Sequence, residues 1–467
     1  MHARGSWLSS IVTLPREERA RVVASLSLRD VEALIHDWRG WARPEQLTPP
    51  GAWTRWLILA GRGWGKSRTG AEYIRERVTS GEAQRIALVG RTAADVRDVM
   101  IEGESGLLSV FPASQRPIYE PSKRRVTFHT GAVATTFTSE KPDQLRGPQH
   151  DTAWCDEIAA WRYPDAWKQL TMGLRLGRPR VVLTTTPRPT PLVRELMAHK
   201  RTHITRGHTK ENAANLAEEF LEEVIAAEGT RLGRQEFGAE LLEEVEGALW
   251  TLAQIETRVI RPEFRIVGEG DEADHEPILP TFVRTVISVD PASKATPKKV
   301  RPGETGIVAT GLDEHGIAWV LDDASGIYKP AEWAAKTVEL FDRWNADRVV
   351  VEDNQGGDMV ESTLRAARVS LPIKRVTAIT GKGVRAEPVA AFYEPQAGYP
   401  RGRVRHLGHH ADLETQMASW VPTSNAPSPD RLDALVHGLT ELLGREKKKR
   451  TSGWSQPKQH DDSENDE

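Results

Sequence analysis

The chain has 467 residues, enough for two or three domains with buried cores, and its 39% hydrophobic and 28% charged residues fit an ordinary globular protein. A formal net charge of −3 excludes a uniformly basic coat for nucleic acid and leaves any such contact to local patches. One cysteine, Cys155, excludes an internal disulfide framework and fits a reducing compartment; no signal-like apolar core and no run near the roughly 18 apolar residues of a membrane span is visible.

Residues 1–50 are expected to form a helical segment. Leu14–Ser25 and Leu28–Trp41 carry apolar side chains at helical spacing, and Pro44, Pro49 and Pro50 then break the pattern. From Trp56 the pattern changes. Short apolar runs, WLILA (56–60), IALVG (86–90), TAWC (152–155) and VVLTT (181–185), alternate with helical pieces such as Thr69–Thr79 and Ala94–Ile101. That alternation predicts a parallel sheet with crossover helices. Residues 124–140 read as a hairpin turning at Thr130-Gly131. Residues 216–228 predict an acidic amphipathic helix, and Leu232–Val245 a second one. Residues 261–280 lack periodicity and are expected to be a linker. A second α/β segment follows: strands at 283–290, 306–312 and 317–323, a helix at 330–344, a strand at 348–353 and helices at 358–368 and Asp430–Leu443. The charged tail from Arg445 is expected to be disordered. The 15 tryptophans are expected to serve packing.

The strongest local signal is Ala60-Gly61-Arg62-Gly63-Trp64-Gly65-Lys66-Ser67. It follows an apolar strand and opens a helix, as a phosphate-binding loop must. Glycines let the backbone wrap phosphate oxygens, and the helix N-terminus adds amide donors and a favourable dipole. Lys66 is expected to reach the β- and γ-phosphates of ATP, and Ser67 to bind Mg²⁺. Asp156-Glu157 ends the TAWC strand. Asp156 would orient Mg²⁺ and Glu157 would polarise the attacking water, a pairing that marks hydrolysis rather than mere binding. Thr184-Thr185-Thr186 at the next strand end could sense loss of the γ-phosphate. Arg146, ten residues before Asp156, is the candidate to act in a neighbouring subunit's site, with Arg62 and Arg91 as rivals.

The second half offers Asp290 at the end of a first strand, Glu352 with Asp353 at the end of a later one, and Asp433 on a late helix. Acids in that order match an RNase H-like layout. Such acids hold two divalent cations, Mg²⁺ or Mn²⁺, which activate water and stabilise the leaving oxygen in phosphodiester cleavage. Basic residues flank them: Lys298, Lys299, Arg301, Lys374, Arg375, Lys382, Arg385, Arg401, Arg403 and Arg405 could bind phosphates. His409-His410 reads as an isolated surface pair rather than a ligand.

These motifs together resemble the large terminase subunit of tailed bacteriophages, prophages and gene-transfer particles. AGRGWGKS, WCDE, TTTP, Thr209-x-x-Asn212, the 234–250 stretch, VDPA, VVEDNQGG, the region Lys382–Val389 and SPDRLDALVHGL fall in that family's order over roughly residues 40–445. The resemblance implies an α/β chain: an N-terminal P-loop NTPase domain (RecA/ASCE-like, residues 51–250) after the helical segment 1–50, a linker at 251–280, a C-terminal RNase H-like nuclease domain (281–445) and the tail 446–467. It implies an ATP-driven motor that moves double-stranded DNA through a portal protein into a procapsid, and a nuclease that cuts concatemers. Gln46 becomes a candidate adenine reader, and Asp353 and Asp430 spare carboxylates. Further implied are a small terminase subunit as partner, a ring, by family expectation a pentamer, on the portal, no membrane, and action in the host cytoplasm rather than in the mature virion. A helicase-nuclease would need a second RecA-like half, and a decayed assembly protein would not keep Lys66, Glu157, Asp290, Glu352 and Asp433.

Overall fold

The four apolar runs at 56–60, 86–90, 152–155 and 181–185 each form a strand whose alternate side chains enter two different cores. The computed structural model describes residues 14–227, 231–241, 245, 247–267, 274–291, 304–352, 357–376, 382–422 and 429–444. It divides into two compact units, one of residues up to Thr281 together with Phe392–Leu432, the other of Phe282–Ala391 together with the chain from Asp433.

The first unit is built on strands β1 (Arg55–Ala60), β2 (Arg85–Gly90), β3 (Ile118–Glu120), β4 (Arg125–Thr127), β5 (Val133–Thr138), β6 (Thr152–Asp156), β7 (Arg180–Thr185) and β8 (Thr202–Gly207). Their order in the sheet is β3-β4-β5-β2-β6-β7-β1-β8. The six strands from β5 to β8 are parallel, and the β3-β4 edge is antiparallel. Both faces are covered, which is why the central strands read as continuous apolar runs. Trp56, Ile58, Leu88 and Trp154 pack on one face with Ile74 and Val78 of helix α1 (Lys66–Thr79). Leu57, Leu59, Val89 and Cys155 pack on the other with Trp167 of α2 (Asp165–Gly173) and Val193 of α3 (Pro191–Ala198). Period-2 alternation thus splits one sheet between two cores. Six tryptophans (Trp56, Trp64, Trp154, Trp161, Trp167 and Trp250) are among the largest fully buried side chains, in keeping with a packing role. Three short strands follow in the chain, β9 (Val259–Ile260), β10 (Phe264–Val267) and β11 (Asp274–Pro277).

The hairpin turns at Thr130-Gly131, where Gly131 N–H donates to Phe128 O at 2.9 Å. Three local expectations are corrected. Leu28–Trp41 is two helices. The first, Leu28–Ile35, starts on a Ser27/Asp30 capping box and stops at His36, whose Nδ1 bonds Val110 O at 3.0 Å. Ala94–Ile101 is a short α-turn followed by a π-helical stretch, Val96–Ile101. The helix at Leu232–Val245 is only Arg231–Glu236. Beyond it Ala239 is left-handed (φ 53°), and the carbonyls of Glu236 and Phe237 turn to accept from Arg62 N–H and Thr209 N–H. A longer helix would keep those carbonyls for itself.

His409 and His410 are also corrected: His410 is buried, and only 10% of the His409 side chain is exposed. His409 Nδ1 and His406 Nδ1 each lie 3.0 Å from Glu414, one on each carboxylate oxygen, and Tyr393 Oη lies 2.9 Å from His406 Nε2. Burial pushes the His409 pKa down, but the charge and hydrogen bond of Glu414, with Glu256 behind, outweigh it and raise the value to about 8. A raised histidine stabilises the fold fully below its unfolded value near 6.5, and that contribution is lost as pH rises through 8. The difference is worth about 2 kcal/mol. Denaturant titrations at pH 6 and pH 9 should show stability falling by that order, and His409→Gln should flatten the difference. An unchanged pH dependence in the variant would remove His409 as its source.

The second unit holds β12 (Phe282–Asp290), β13 (Gly306–Asp313), β14 (Ala318–Asp323), β15 (Arg348–Glu352) and β16 (Ile373–Val376). β12, β13 and β14 are antiparallel neighbours, while β15 and β16 join parallel on the other side of β12. Helices Pro330–Arg343, Gly357–Ala367, Lys382–Ala391 and Asp430–Leu443 complete it. Three antiparallel strands are thus followed in the chain by two that join parallel. Among the described residues no helix is long and apolar enough to cross a membrane.

Candidate nucleotide site and nuclease centre

The phosphate loop connects β1 to α1. Gly63 and Gly65 have φ of 74° and 101°, a left-handed backbone that side-chain-bearing residues adopt only under strain. Gly61 N–H is tied to Gly207 O at 3.0 Å and Arg62 N–H to Glu236 O at 2.8 Å. The Thr209-x-x-Asn212 element holds the loop from below. Thr209 Oγ1 donates to Arg62 O (2.7 Å), and Asn212 Nδ2 to Gly63 O (2.6 Å). Arg43 donates to Asn212 Oδ1 and to Trp64 O, and lies over the Trp64 ring. The Trp64 indole is itself buried, its Nε1 donating to Glu211 at 2.8 Å, so the tryptophan anchors the loop rather than facing a phosphate. Gln46 is buried beside this loop, its Nε2 3.2 Å from Thr69 Oγ1. Ser67 is half-buried in the first turn of α1.

Lys66 is buried at the loop mouth. Its Nζ donates to Ala60 O (3.1 Å) and Thr186 Oγ1 (3.2 Å) and lies 3.5 Å from Glu157 Oε1. Asp156 ends β6 opposite Thr184 of β7, and Thr184 Oγ1 donates to its Oδ1. Burial and the neighbouring Glu157 charge push the Asp156 pKa up to about 7 against the opposing Thr184 bond and Lys66. Two adjacent acids facing one lysine leave the site short of positive charge, which suits a nucleotide-bound Mg²⁺. Glu157 is left-handed (φ 47°, ψ 47°), a costly conformation for a glutamate. That backbone aims its carboxylate across to β7, where Oε2 accepts from Thr186 N–H (3.2 Å) and Thr185 Oγ1 (3.4 Å). The threonine cluster therefore touches both the lysine and the acid pair.

The three arginine candidates differ. Arg62 is paired with Glu236 (2.6 Å) and Arg91 with Asp95 (3.1 Å). Arg146 caps a short 3-10 turn, is exposed, and makes no hydrogen bond or ion pair with the described residues around Lys66. Sequence reading missed Arg188, two residues after the threonine cluster. It is buried, and its Nη2 pairs with Asp412 Oδ1 at 2.5 Å on helix Ala411–Ser419. Burial pushes Asp412 up, but Arg188 and then Arg431 hold its carboxyl well below the usual range. Removing one partner of such a pair costs about 3–5 kcal/mol. Arg188→Ala should cost that much in chemical denaturation, and adding Asp412→Asn should recover part of it. Simple additivity of the two losses would show that the pair is not coupled.

In the second unit, pairing of Val289 with Val351 sets Asp290 and Glu352 side by side at the ends of parallel strands. Both are buried, as is Asp433, the fourth residue of helix Asp430–Leu443. That helix crosses directly over the sheet at Gly438, where a Cβ would stand 2.4 Å from Ser288 Oγ and 2.7 Å from Thr310 Oγ1. His437, one turn after Asp433, places Nε2 3.3 Å from Glu352 Oε2. Arg385 donates through Nη1 to Glu352 Oε1 at 3.2 Å. Among the described residues no three His, Cys, Asp or Glu side chains stand close enough together to hold a metal ion. Register brings Asp290 and Glu352 together, carboxylates of the class that divalent Mg²⁺ or Mn²⁺ prefers, but the three predicted acids do not stand as one metal-holding cluster among the described residues. Asp353, Lys298, Lys299 and Arg301 lie outside the described residues, as do the Lys382 side chain and the tail; Asp430 opens the helix. Most of the other basic candidates are engaged within the chain. Lys374 pairs with Glu441, Arg375 with Asp358 and Glu361, Arg401 bonds Thr257 O, Arg405 bonds nearby carbonyls and Arg403 stacks on Tyr399. Sequence reading missed His437.

Fold and sites define a P-loop NTPase and an RNase H-like nuclease on one chain. Residues 57–257 match the family model for the N-terminal part of the terminase large subunit, T4-like virus type, and residues 287–442 match the terminase RNase H-like domain. The chain belongs to the terminase large subunits, the DNA-packaging enzymes of bacteriophages that combine ATPase and nuclease domains. No curated protein sequence matches it. Among solved structures it is similar to the large terminase of a thermophilic bacteriophage in complex with ADP (12% identity, 88% of this chain and 98% of that one, TM-score 0.40). It is also similar to the large terminase of bacteriophage HK97 (14% identity, 83% and 91%, TM-score 0.33). A third is a mutant nuclease domain of the large terminase subunit of bacterial virus Sf6 with manganese (13% identity, 40% and 96%, TM-score 0.27).

Proposed function

We propose that this chain uses ATP hydrolysis to drive double-stranded DNA through a portal protein into a procapsid, and cuts concatemeric DNA when packaging starts and ends. The observation that carries the motor half is the single constellation of Lys66, Glu157 and Thr186 at the phosphate loop. With Oε2 of Glu157 held by β7, Oε1 is left toward Lys66, where it can order a water for in-line attack and take its proton. Lys66 neutralises charge on the γ-phosphate, Ser67 and Asp156 would hold Mg²⁺, and Gln46 would meet the adenine. Mg²⁺ held there would supply charge neutralisation for the transferring phosphoryl group. Thr186 lies beside Lys66, so β7 is placed to register a γ-phosphate held there.

In the nuclease half, Asp290, Glu352 and Asp433 would hold the divalent cations, which supply an activated water and stabilise the leaving oxygen. The matches at 57–257 and 287–442 support placing the motor at 51–250 and the nuclease at 281–445. Arg146, exposed and engaged with none of the described residues around Lys66, suits action on a neighbouring subunit in a ring, a pentamer on the portal, with a small terminase subunit presenting the DNA in the host cytoplasm. The test is encapsidation. Purified chain, small subunit, procapsids with portal and linear duplex should yield nuclease-protected DNA only with ATP, and Lys66→Ala should yield none. Equal protection without ATP would sink the motor reading.

A further inference from the structure

Arg385 sits at the nuclease edge with one side of its guanidinium used and the other not. Its Nη1 donates to Glu352 Oε1 at 3.2 Å and lies 3.2 Å from His437 Nε2. Its Nε is buried and has no hydrogen-bond partner among the described residues. A buried donor without a partner is costly, and an anionic oxygen relieves it best. The Arg385 side chain keeps 16% of its surface exposed, so the guanidinium as a whole is not sealed from solvent. Among the described residues, three neighbouring cations are already paired. Lys374 and Arg348 are drawn to Glu441, and Arg375 to Asp358 and Glu361.

We propose that Arg385 binds a DNA phosphate through Nε while Nη1 stays on Glu352, fixing the backbone beside the carboxylates. The inference rests on the nuclease reading above. A guanidinium can bridge two anions because its donors lie in a rigid planar fork, whereas a lysine ammonium is a point charge that serves one of them well. One nitrogen edge then positions Glu352 and the other positions the substrate.

The experiment uses the full chain carrying Asp290→Ala, so that binding is read without cutting. Anisotropy of a labelled duplex is followed at several salt concentrations. Losing one phosphate contact lowers the slope of log affinity against log salt by about 0.9. Arg385→Gln should show that loss, and Arg385→Lys should restore the slope. Returned to the chain with Asp290 intact, Arg385→Lys should still cleave poorly, because its charge cannot hold both partners. Equal slopes for the Gln variant and its parent would overturn the proposal, as would failure of the parent to bind duplex at low salt. Should the Gln variant not fold, wild-type cleavage by the Lys variant would overturn it and impaired cleavage with a normal slope would support it. Cutting by Asp290→Ala alone would defeat the nuclease reading, while the salt slope still reports on Arg385.

Discussion

Glu157→Gln is expected to reduce ATP hydrolysis by about 10²–10⁴-fold, the usual contribution of a positioned general base, while leaving nucleotide affinity within a few-fold. The change is nearly isosteric. The glutamine carbonyl oxygen can still accept from Thr186 N–H, as Oε2 does at 3.2 Å, so β6 and β7 stay joined. What disappears is the negative charge 3.5 Å from Lys66 and the ability to take a proton from water. Affinity should survive because the groups proposed to bind phosphate, the loop amides and Lys66, are not altered. Removing the Glu157 charge also lets the Asp156 pKa, now about 7, fall toward the ordinary carboxylate range. Asp156 should then stay ionised to lower pH. Phosphate release and binding of a fluorescent ATP analogue measure the two effects separately. Hydrolysis at the wild-type rate would take Glu157 out of the reaction, and loss of binding would mean that its role is structural.

Much of this was legible in the residues because each feature has a local cause. The apolar runs had to be buried on both faces, so they predicted a parallel sheet. Gly63, Gly65 and the helix at Lys66 formed one continuous strand-loop-helix signal. The late helix Asp430–Leu443 came out with both ends in place because its apolar period ran unbroken. Features set by distant partners were not legible. The helix after Arg231 stops early because Arg62 and Thr209, far away in sequence, claim its carbonyls. His409 is held by Glu256, far away in sequence, as well as by Glu414, and no local pattern announces that. Trp64 stood in a nucleotide-binding motif, but Arg43, Glu211 and Gly207 turn its side chain into an anchor. Arg188 and His437 carried no motif at all. Arg188 directly follows Thr186-Pro187, and His437 stands four residues after Asp433. A reading that checked one turn beyond each candidate would have met both.

Asp290→Ala is expected to lower divalent-metal-dependent plasmid cleavage by about 10²–10⁴-fold, because a metal-holding carboxylate supplies several kcal/mol of transition-state stabilisation. Register places Asp290 beside Glu352 at the ends of neighbouring parallel strands, with Arg385 and His437 gathered on Glu352. Thermal melting of the variant, measured alongside, separates lost cleavage from unfolding. The wild-type chain should gain stability on adding Mn²⁺ through preferential binding to the folded state, and the variant should gain less. ATP hydrolysis should be untouched, since Lys66, Asp156 and Glu157 all belong to the other unit. Cleavage at the wild-type rate would show that another set of acids holds the metal. A normal Mn²⁺ shift with lost cleavage would keep the metal elsewhere and leave Asp290 a role in ordering the attacking water. Only joint loss of the shift and of cleavage, with the motor intact, assigns Asp290 to the metal centre.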